Sequence, residues 1–551
     1  MRRGGVCALE RPLGAAHCQR GMRLCVDFQG ARPAAVVTRR AAPQAARRGA
    51  PLARVLVSTA IAVACAALPA RAQGPSPFVP DDHWVHHALR RLDALGLLPA
   101  GYDPGTRSVP EREAGRLLQE ALGAAAGTPY EGFARAYLQR FAEEFGGGWG
   151  EPAGEAALPF RLAGTLGVGF AAERGGMRAG SGYQNGGNWT GPTPVPSSDD
   201  VLSAIELRAY AGRYAAGRIT ARAWQDSSWL GDAHVLLAAG KVGAWFGRHA
   251  VGFGPAAGGG VVLSGAHAFT SGGLTLLEGV TLPGPLRHLG PVRVETFLSS
   301  VHENGAVEEP WFWAGRLSIQ PHPRLVLGVN RAAMFGGDGN PPLSVRDLLY
   351  VVIGKHAGEG SEVDNQIAAV DVWYRVPVGF APIAVYAEWG FEDSAGAWKD
   401  VPGIVAGGEL ASVPGLPGLS LGIERASFAP SCCGNPIWYR HWRFLDGWAD
   451  EGGPLGHPLG GHGTEWRVFG GLEPWDARLR LRVEAFARDR GEENQFAPDR
   501  AGESRGGVLH AWLRPSPRLE LEVEGLHERG ESGWRASRLR ATARWLLQSS
   551  S

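Results

Sequence analysis

The residue types best suited to binding a ligand are concentrated in one segment of the chain. Two tryptophans, two arginines, a tyrosine and a histidine fill six consecutive positions, and a second histidine follows: Trp438, Tyr439, Arg440, His441, Trp442, Arg443 and His457. Aromatic rings stack against sugar rings, and guanidinium groups pair with carboxylates. The segment would therefore suit an acidic polysaccharide if the protein binds a glycan. Tyr183 and Trp189 form a secondary candidate of the same kind.

A second interpretation of the same residues needs no ligand. Membrane barrels carry belts of aromatic side chains at both membrane interfaces, where neighbouring arginines contact lipid headgroups. Trp438 and Trp442, with Arg440 between them, also fit such a belt. The sequence leaves both interpretations open.

The sequence predicts neither an enzyme nor a metal or cofactor site. It contains no Gly-x-Ser-x-Gly motif in a strand-turn-helix context and no His-Glu-x-x-His motif. His457 and His462 lie close together, but no further ligands accompany them, and carboxylates such as Asp371 and Glu388 fall on predicted strands. With 55 basic and 54 acidic residues, the chain has no excess positive charge to attract nucleic acid.

The elements that position these residues are predicted to be β-strands. Polar and apolar residues alternate over 204–211, 478–486 and 519–526, which is the pattern of a strand with one face in water or lumen. Twelve such strands are predicted from residue 292 to the end, at 292–300, 312–320, 324–332, 366–376, 382–391, 403–411, 418–428, 465–472, 478–488, 506–514, 518–527 and 537–546.

The connections between these strands are alternately short and long. Short ones include 321–323, 377–381 and 515–517, and long ones include 333–365 and 429–464. Tight periplasmic turns and long outer loops distinguish outer-membrane barrels from soluble sandwiches. Four further strands are predicted upstream, at 161–170, 201–214, 218–226 and 234–246. The fold class is therefore a transmembrane antiparallel β-barrel of 16 strands, or of 18 if 247–291 supplies two more.

A small helical part precedes the barrel. Apolar residues recur at helical spacing in three segments between residues 81 and 145, and the third opens with the capping box Thr128-Pro129-Tyr130-Glu131. We expect a periplasmic helical bundle or plug over 73–150 and the barrel over 151–551.

The first 72 residues are predicted to be a leader that is removed. An arginine-rich stretch is followed by the apolar run 52–68 and by Ala70-Arg71-Ala72, a site of the kind that signal peptidase recognises. Export to an oxidising compartment leaves two states open for the adjacent Cys432 and Cys433, a strained vicinal disulfide or two free thiols.

Several short stretches in the strand region together resemble the Wzi-type capsule assembly family of outer-membrane proteins. They are Gly247–Pro255, Val262–Ala268, Leu325–Arg331, Phe335–Gly337, Asp364–Gln366, Tyr386–Glu388, Tyr439–His441 and Pro454–Gly460. The chain departs from the family pattern at Val251, where tryptophan is usual, and at His462, where an acid is common.

The resemblance implies a monomeric barrel of about eighteen strands in the bacterial outer membrane. It further implies that the loops hold capsular or other extracellular polysaccharide at the cell surface. Its partners would be that polysaccharide and outer-membrane lipid, with no nucleic acid and no cofactor. Two other functions stay open: a channel for small solutes, because a barrel of this size conducts unless it is filled, and an outer-membrane carbohydrate-active enzyme.

Overall fold

The computed structural model describes residues 75–81, 83–146, 160–174, 200–212, 214–224, 227–302, 304–305, 307–353, 364–392, 402–428, 438–450, 453–474 and 477–547. Within these residues, eighteen long strands form one antiparallel sheet. They are β1 Phe160–Arg174, β2 Asp200–Ala211, β3 Ala215–Trp224, β4 Ser227–Ala239, β5 Val242–Phe253, β6 Leu263–Leu276, β7 Pro291–Ser300, β8 Trp311–His322, β9 Leu325–Phe335, β10 Asp364–Val376, β11 Ile383–Glu392, β12 Gly403–Leu410, β13 Leu419–Phe428, β14 Gly463–Leu472, β15 Leu479–Arg490, β16 Gly502–Ser516, β17 Leu519–Gly530 and β18 Arg535–Leu547.

The sheet closes on itself, because β1 pairs with β2 on one side and with β18 on the other, with Leu166 opposite Trp545. Closure satisfies the backbone hydrogen bonds of both edge strands, as a barrel in lipid requires. The predicted fold class is confirmed, with the larger of the two strand numbers.

The extra strands come from the region upstream of residue 292. The predicted strand 234–246 is wrong as a single strand: the chain turns at Gly240 and Lys241, and β4 and β5 lie on either side of that hairpin. Gly240 has a φ of +65°, a conformation that glycine adopts without strain. β6 is the second addition.

Side chains alternate between the two faces of the wall. On β17, Glu522, Glu524 and Glu528 are buried, whereas the neighbouring Leu521 and Val523 are exposed on the outside. The buried charges pair with arginines of neighbouring strands, for example Arg538 with Glu524 at 3.0 Å. An apolar exterior and a polar interior are what a barrel needs in a bilayer.

Three helices fill one end of the barrel. They are α1 Trp84–Ala94, α2 Glu111–Ala125 and α3 Glu131–Phe145, and they share an apolar core that includes Leu92, Leu117 and Phe141. The predicted capping box is not formed: α3 begins at Glu131 with Tyr130 as its N-cap, and the Glu131 carboxylate accepts instead from the N–H of Gly127 at 2.9 Å. A fourth helix, α4 Val345–Ile353, lies in a loop. No helix in the described part of the chain is long and apolar enough to cross a membrane.

The helical plug is held by ion pairs that reach it from strands around the whole wall. These pairs are Arg218–Glu111, Arg293–Glu113, Arg316–Asp103, Arg91–Glu473 and Arg140–Glu520. All five lie near the end of the barrel where short turns such as 240–241 and 323–324 join the strands. We call this end the short-turn rim and the opposite end the long-loop rim.

Candidate functional site

At the long-loop rim, the connection between β5 and β6 folds into the lumen. This inward loop, residues 254–262, reaches across to two strands on the far side. The Glu388 carboxylate of β11 accepts hydrogen bonds from the N–H groups of Ala256 at 3.0 Å and Val261 at 2.9 Å. Because five of the nine loop residues are glycine or proline, the backbone approaches the wall closely.

A second carboxylate holds the same loop. Glu424 of β13 accepts from the N–H of Ala257 at 2.6 Å and from that of Gly258 at 2.8 Å. Each glutamate thus binds two backbone donors, and both carboxylates are buried. Hydrogen bonds to a charged acceptor are about twice as strong as neutral ones. The pair of glutamates fixes the inward loop across the barrel interior.

The segments 438–450 and 453–462 form a cap over the inward loop, where the Trp448 ring nitrogen donates to the carbonyl of Val262 at 2.9 Å. Tyr439 is the centre of this cap: its hydroxyl donates to the carbonyl of Val261 at 2.6 Å and accepts from the N–H of His457 at 2.9 Å. The N–H of Tyr439 donates to Glu392 at 2.7 Å. Its φ of +61° is uncommon for a bulky residue, so these contacts hold the backbone in a strained conformation.

The cap is also tied to the strands on the opposite side. Asp450 accepts from the ring nitrogens of His302 at 2.9 Å and His267 at 2.5 Å. Hydrogen bonds from these histidines hold the pKa of Asp450 well below its usual range although burial opposes this. Asp450 is therefore ionised at physiological pH.

The structure divides the residues predicted to bind a polysaccharide into a buried and an exposed set. Trp438, Tyr439 and His457 are fully buried and pack on Phe428 in the core beneath the cap. His441 is also buried, and its Nδ1 accepts from the N–H of Arg443 at 3.2 Å. These four side chains shape the cap and do not reach solvent.

Burial decides the charge of His457. Its imidazole has no exposed surface, and loss of hydration lowers its pKa to about 3. The ring is neutral at physiological pH and accepts a hydrogen bond from the N–H of Leu459 at 3.2 Å. It therefore supplies no positive charge to an acidic ligand.

The other three residues are more accessible: Arg440 and Trp442 are exposed, and Arg443 is half-buried. Trp442 has 59% of its surface exposed, unusual for so large an aromatic side chain in a folded loop. Arg440 pairs with exposed Glu493 at 2.5 Å, and Arg443 donates to Asn340 and to the carbonyl of Gly339. We call these three residues the exposed tip: one flat apolar face between two guanidinium groups.

The sequence does not predict that the inward loop crosses the lumen. The sequence places Glu388 on a predicted strand, and no local pattern distinguishes Glu424 from other strand residues. Their signal is the run Gly254-Pro255-Ala256-Ala257-Gly258-Gly259-Gly260, whose uncharged backbone donors need acceptors somewhere in the fold.

Several predicted features lie outside the described residues. They are the leader over 1–72, the secondary candidates Tyr183 and Trp189, and the cysteine pair Cys432 and Cys433. The predicted boundary between the helical part and the barrel, near residue 150, also falls there.

Comparisons with known proteins point to one family. The family model described as "Capsule assembly protein Wzi" matches residues 195–542. A solved structure from Escherichia coli, described as Wzi, an outer membrane protein involved in group 1 capsule assembly and a carbohydrate-binding β-barrel, superposes with a TM-score of 0.66. The two are 17% identical, and the alignment covers 86% of this chain and 100% of that one.

Other outer-membrane barrels are more distant. OccD3 of Pseudomonas aeruginosa has a TM-score of 0.40 at 12% identity, over 72% of this chain and 94% of its own. OccAB4 of Acinetobacter baumannii has a TM-score of 0.41 at 10% identity, over 72% and 100%. A search of curated protein sequences finds no match.

Proposed function

The chain belongs to the Wzi capsule assembly family, and from this membership we propose that it binds capsular or other surface polysaccharide at the exterior of the outer membrane. The family match covers residues 195–542, which is most of the barrel. The carbohydrate binding described for the similar Escherichia coli barrel supports the same ligand class.

One observation on this chain carries the proposal: the exposed tip stands on a rigid cap over a filled lumen. Trp442 offers a flat face to a sugar ring, and Arg440 and Arg443 offer guanidinium groups to uronate carboxylates or other acidic substituents. The long-loop rim faces the cell exterior in barrels of this kind. The tip is therefore placed where a polysaccharide strand would meet the protein.

We propose that the barrel acts as a monomer with lipid as its second partner. The sheet closes within a single chain, and its outer face carries exposed Leu, Val and Ile side chains such as Val468, Leu509 and Leu539. No catalytic step is proposed.

The experiment compares retention of polysaccharide on cells that lack the gene and are complemented with variants. With Arg440→Ala and Trp442→Ala combined, we expect surface-attached polysaccharide to fall and the amount in the medium to rise several-fold, while total synthesis is unchanged. Removal of one stacking aromatic and one pairing arginine costs about 1–3 kcal/mol, which is roughly a ten- to hundredfold loss in affinity.

The matched control is the pair Arg505→Ala and Trp466→Ala. Both side chains are exposed near the same rim, on strands β16 and β14. This control should retain polysaccharide like the wild type. If the tip variant retains as much polysaccharide as the control does, the exposed tip is not the binding surface. If the gene deletion itself sheds nothing, the proposed function is wrong.

A further inference from the structure

Away from the loops, a group of metal-ligating side chains lies between the helical plug and the barrel wall. Asp232 and His234 on β4 and His249 on β5 each present one ligand atom, and these three atoms lie within 4.8 Å of one another. Among the described residues, this is the one group of three or more such side chains whose ligand atoms converge in this way. From this geometry we propose that the three residues bind a divalent transition-metal ion of the Zn²⁺ class.

The hydrogen bonds of His249 fix which of its nitrogens faces the proposed ion. Its Nε2 lies 3.1 Å from the hydroxyl oxygen of Ser108, and that hydroxyl donates its proton to Glu295. The hydroxyl therefore accepts from Nε2–H, and Nδ1 faces the Asp232 carboxylate at 3.1 Å, a contact that needs either a proton or a metal ion between the two atoms. With a metal ion between them, both atoms become its ligands. Ligating histidines commonly donate their second N–H in this way.

The distances suit a small ion. Two ligands at about 2.0–2.1 Å from a tetrahedral Zn²⁺ lie about 3.3 Å apart, close to the separation of His249 Nδ1 and Asp232 Oδ1. His234 needs to approach by about 1–1.5 Å to complete the same polyhedron. Two imidazoles and one carboxylate, with water in a fourth position, are a donor set that zinc accepts.

Two buried groups beside the site lack partners that a cation would supply. His234 Nδ1 has no hydrogen-bond partner within the described structure, and its Nε2 accepts only a long bond of 3.3 Å from the N–H of Phe78. Metal binding at Nδ1 would give that nitrogen a partner, with its proton moving to Nε2 and the long bond from Phe78 being lost. One oxygen of the buried Glu295 is also without a hydrogen-bond partner in the described residues.

The surroundings favour a structural site. The ring of Phe78 stacks on that of His249 at 4.6 Å, and Trp245 meets His249 edge-on at 5.3 Å, so apolar groups shield two sides. A cavity of about 70 Å³ is lined in part by Asp232. Phe78 and Ser108 belong to the N-terminal segment, so the ion would fasten the plug to β4 and β5.

The test is zinc uptake by the purified, untagged full chain in detergent after treatment with a chelator. Equilibrium dialysis against ZnCl₂, with metal measured by mass spectrometry, should give one equivalent per wild-type chain. Asp232→Asn and His234→Ala should each weaken binding at least tenfold. Cobalt substitution should produce the intense visible absorption bands of a tetrahedral site in the wild type, a measurement that needs no variant.

Asp450→Asn is the matched control. Asp450 also contacts two histidines, but His302 binds one carboxylate oxygen and His267 the other, so their ligand atoms do not converge. This variant should take up zinc like the wild type. Wild-type protein without stoichiometric zinc, or equal uptake by Asp232→Asn and His234→Ala, would overturn the proposal. These results concern the metal site alone, and polysaccharide retention tests the proposed function separately.

Discussion

At the scale of the residue, the same side-chain type serves opposite purposes within the cap. Trp438 and Trp442 are four positions apart, yet Trp438 is fully buried and Trp442 has 59% of its surface exposed. The difference arises from contacts made by Tyr439, whose partners Glu392 and Val261 are 47 and 178 positions away. Local sequence contains no information on contacts at such separations. The composition of the segment therefore predicts a site but not which of its residues face solvent.

The buried His457 makes the cap sensitive to acid. In the unfolded chain a histidine titrates near pH 6.5, whereas burial lowers its pKa to about 3 in the folded cap. Between these values the unfolded state binds more protons, so stability falls as the pH falls through this window. The slope is at most about 1.4 kcal/mol per pH unit for one proton.

We therefore predict that cap opening increases by up to about tenfold per pH unit below about 6.5. Hydrogen exchange of residues 438–462, corrected for the intrinsic rate, measures this directly between pH 7 and 5. His457→Asn keeps an acceptor for the Leu459 N–H but binds no proton, so its profile should be flatter. The exposed His288, replaced in the same way, is the control and should change nothing. An equally steep profile in His457→Asn would show that another group controls the cap.

At the scale of the element, alternation of polar and apolar residues predicts most of the wall. It works where the lumen is lined by charges, as on β15 and β17, because each inward residue is then polar. It fails between 234 and 291, because there the lumen is filled by packed rings. Trp245 and Phe269 point inward and are buried, so much of both faces of β5 and β6 is apolar. The hairpin at Gly240 is hidden within that apolar run.

The inward loop is an element whose position depends on two side chains. In Glu388→Gln, one oxygen is replaced by an NH₂ group, which must face one of the two backbone donors, Ala256 or Val261. One hydrogen bond is lost and a buried backbone donor is left without an acceptor, at a cost of about 1–3 kcal/mol. We predict that amide exchange in residues 254–262 accelerates by about ten- to a hundredfold.

Hydrogen exchange with mass spectrometry on the detergent-solubilised barrel checks this prediction. Glu503→Gln changes an exposed carboxylate on β16 in the same way and serves as the control, with no expected change in the loop. Unaltered protection of the loop in Glu388→Gln would mean that the cap above it, and not the carboxylate, holds it in place.

At the scale of the whole molecule, two structures fill the barrel from opposite rims, and they meet where the N–H of Gly254 donates to the carbonyl of Gly105 at 2.9 Å. The helical plug occupies the short-turn rim and is anchored by ion pairs from five parts of the wall. The inward loop and the cap occupy the long-loop rim and share no anchoring residue with those pairs. An eighteen-stranded barrel is wide enough to conduct ions when empty. Its closure at both rims in series argues for an anchor rather than a channel.

Because the lumen is blocked at both rims, conductance in planar bilayers can distinguish an anchor from a channel. We predict that the wild-type barrel is silent in planar bilayers, and that Glu388→Ala with Glu424→Ala is silent as well, because the plug still blocks the other rim. Adding Arg91→Ala and Arg316→Ala removes two plug anchors and should produce intermittent openings. Arg91→Ala with Arg316→Ala alone is the reciprocal control and should stay silent. Steady conductance of the wild type would favour a solute channel, and openings from either pair alone would show that one rim provides the whole barrier.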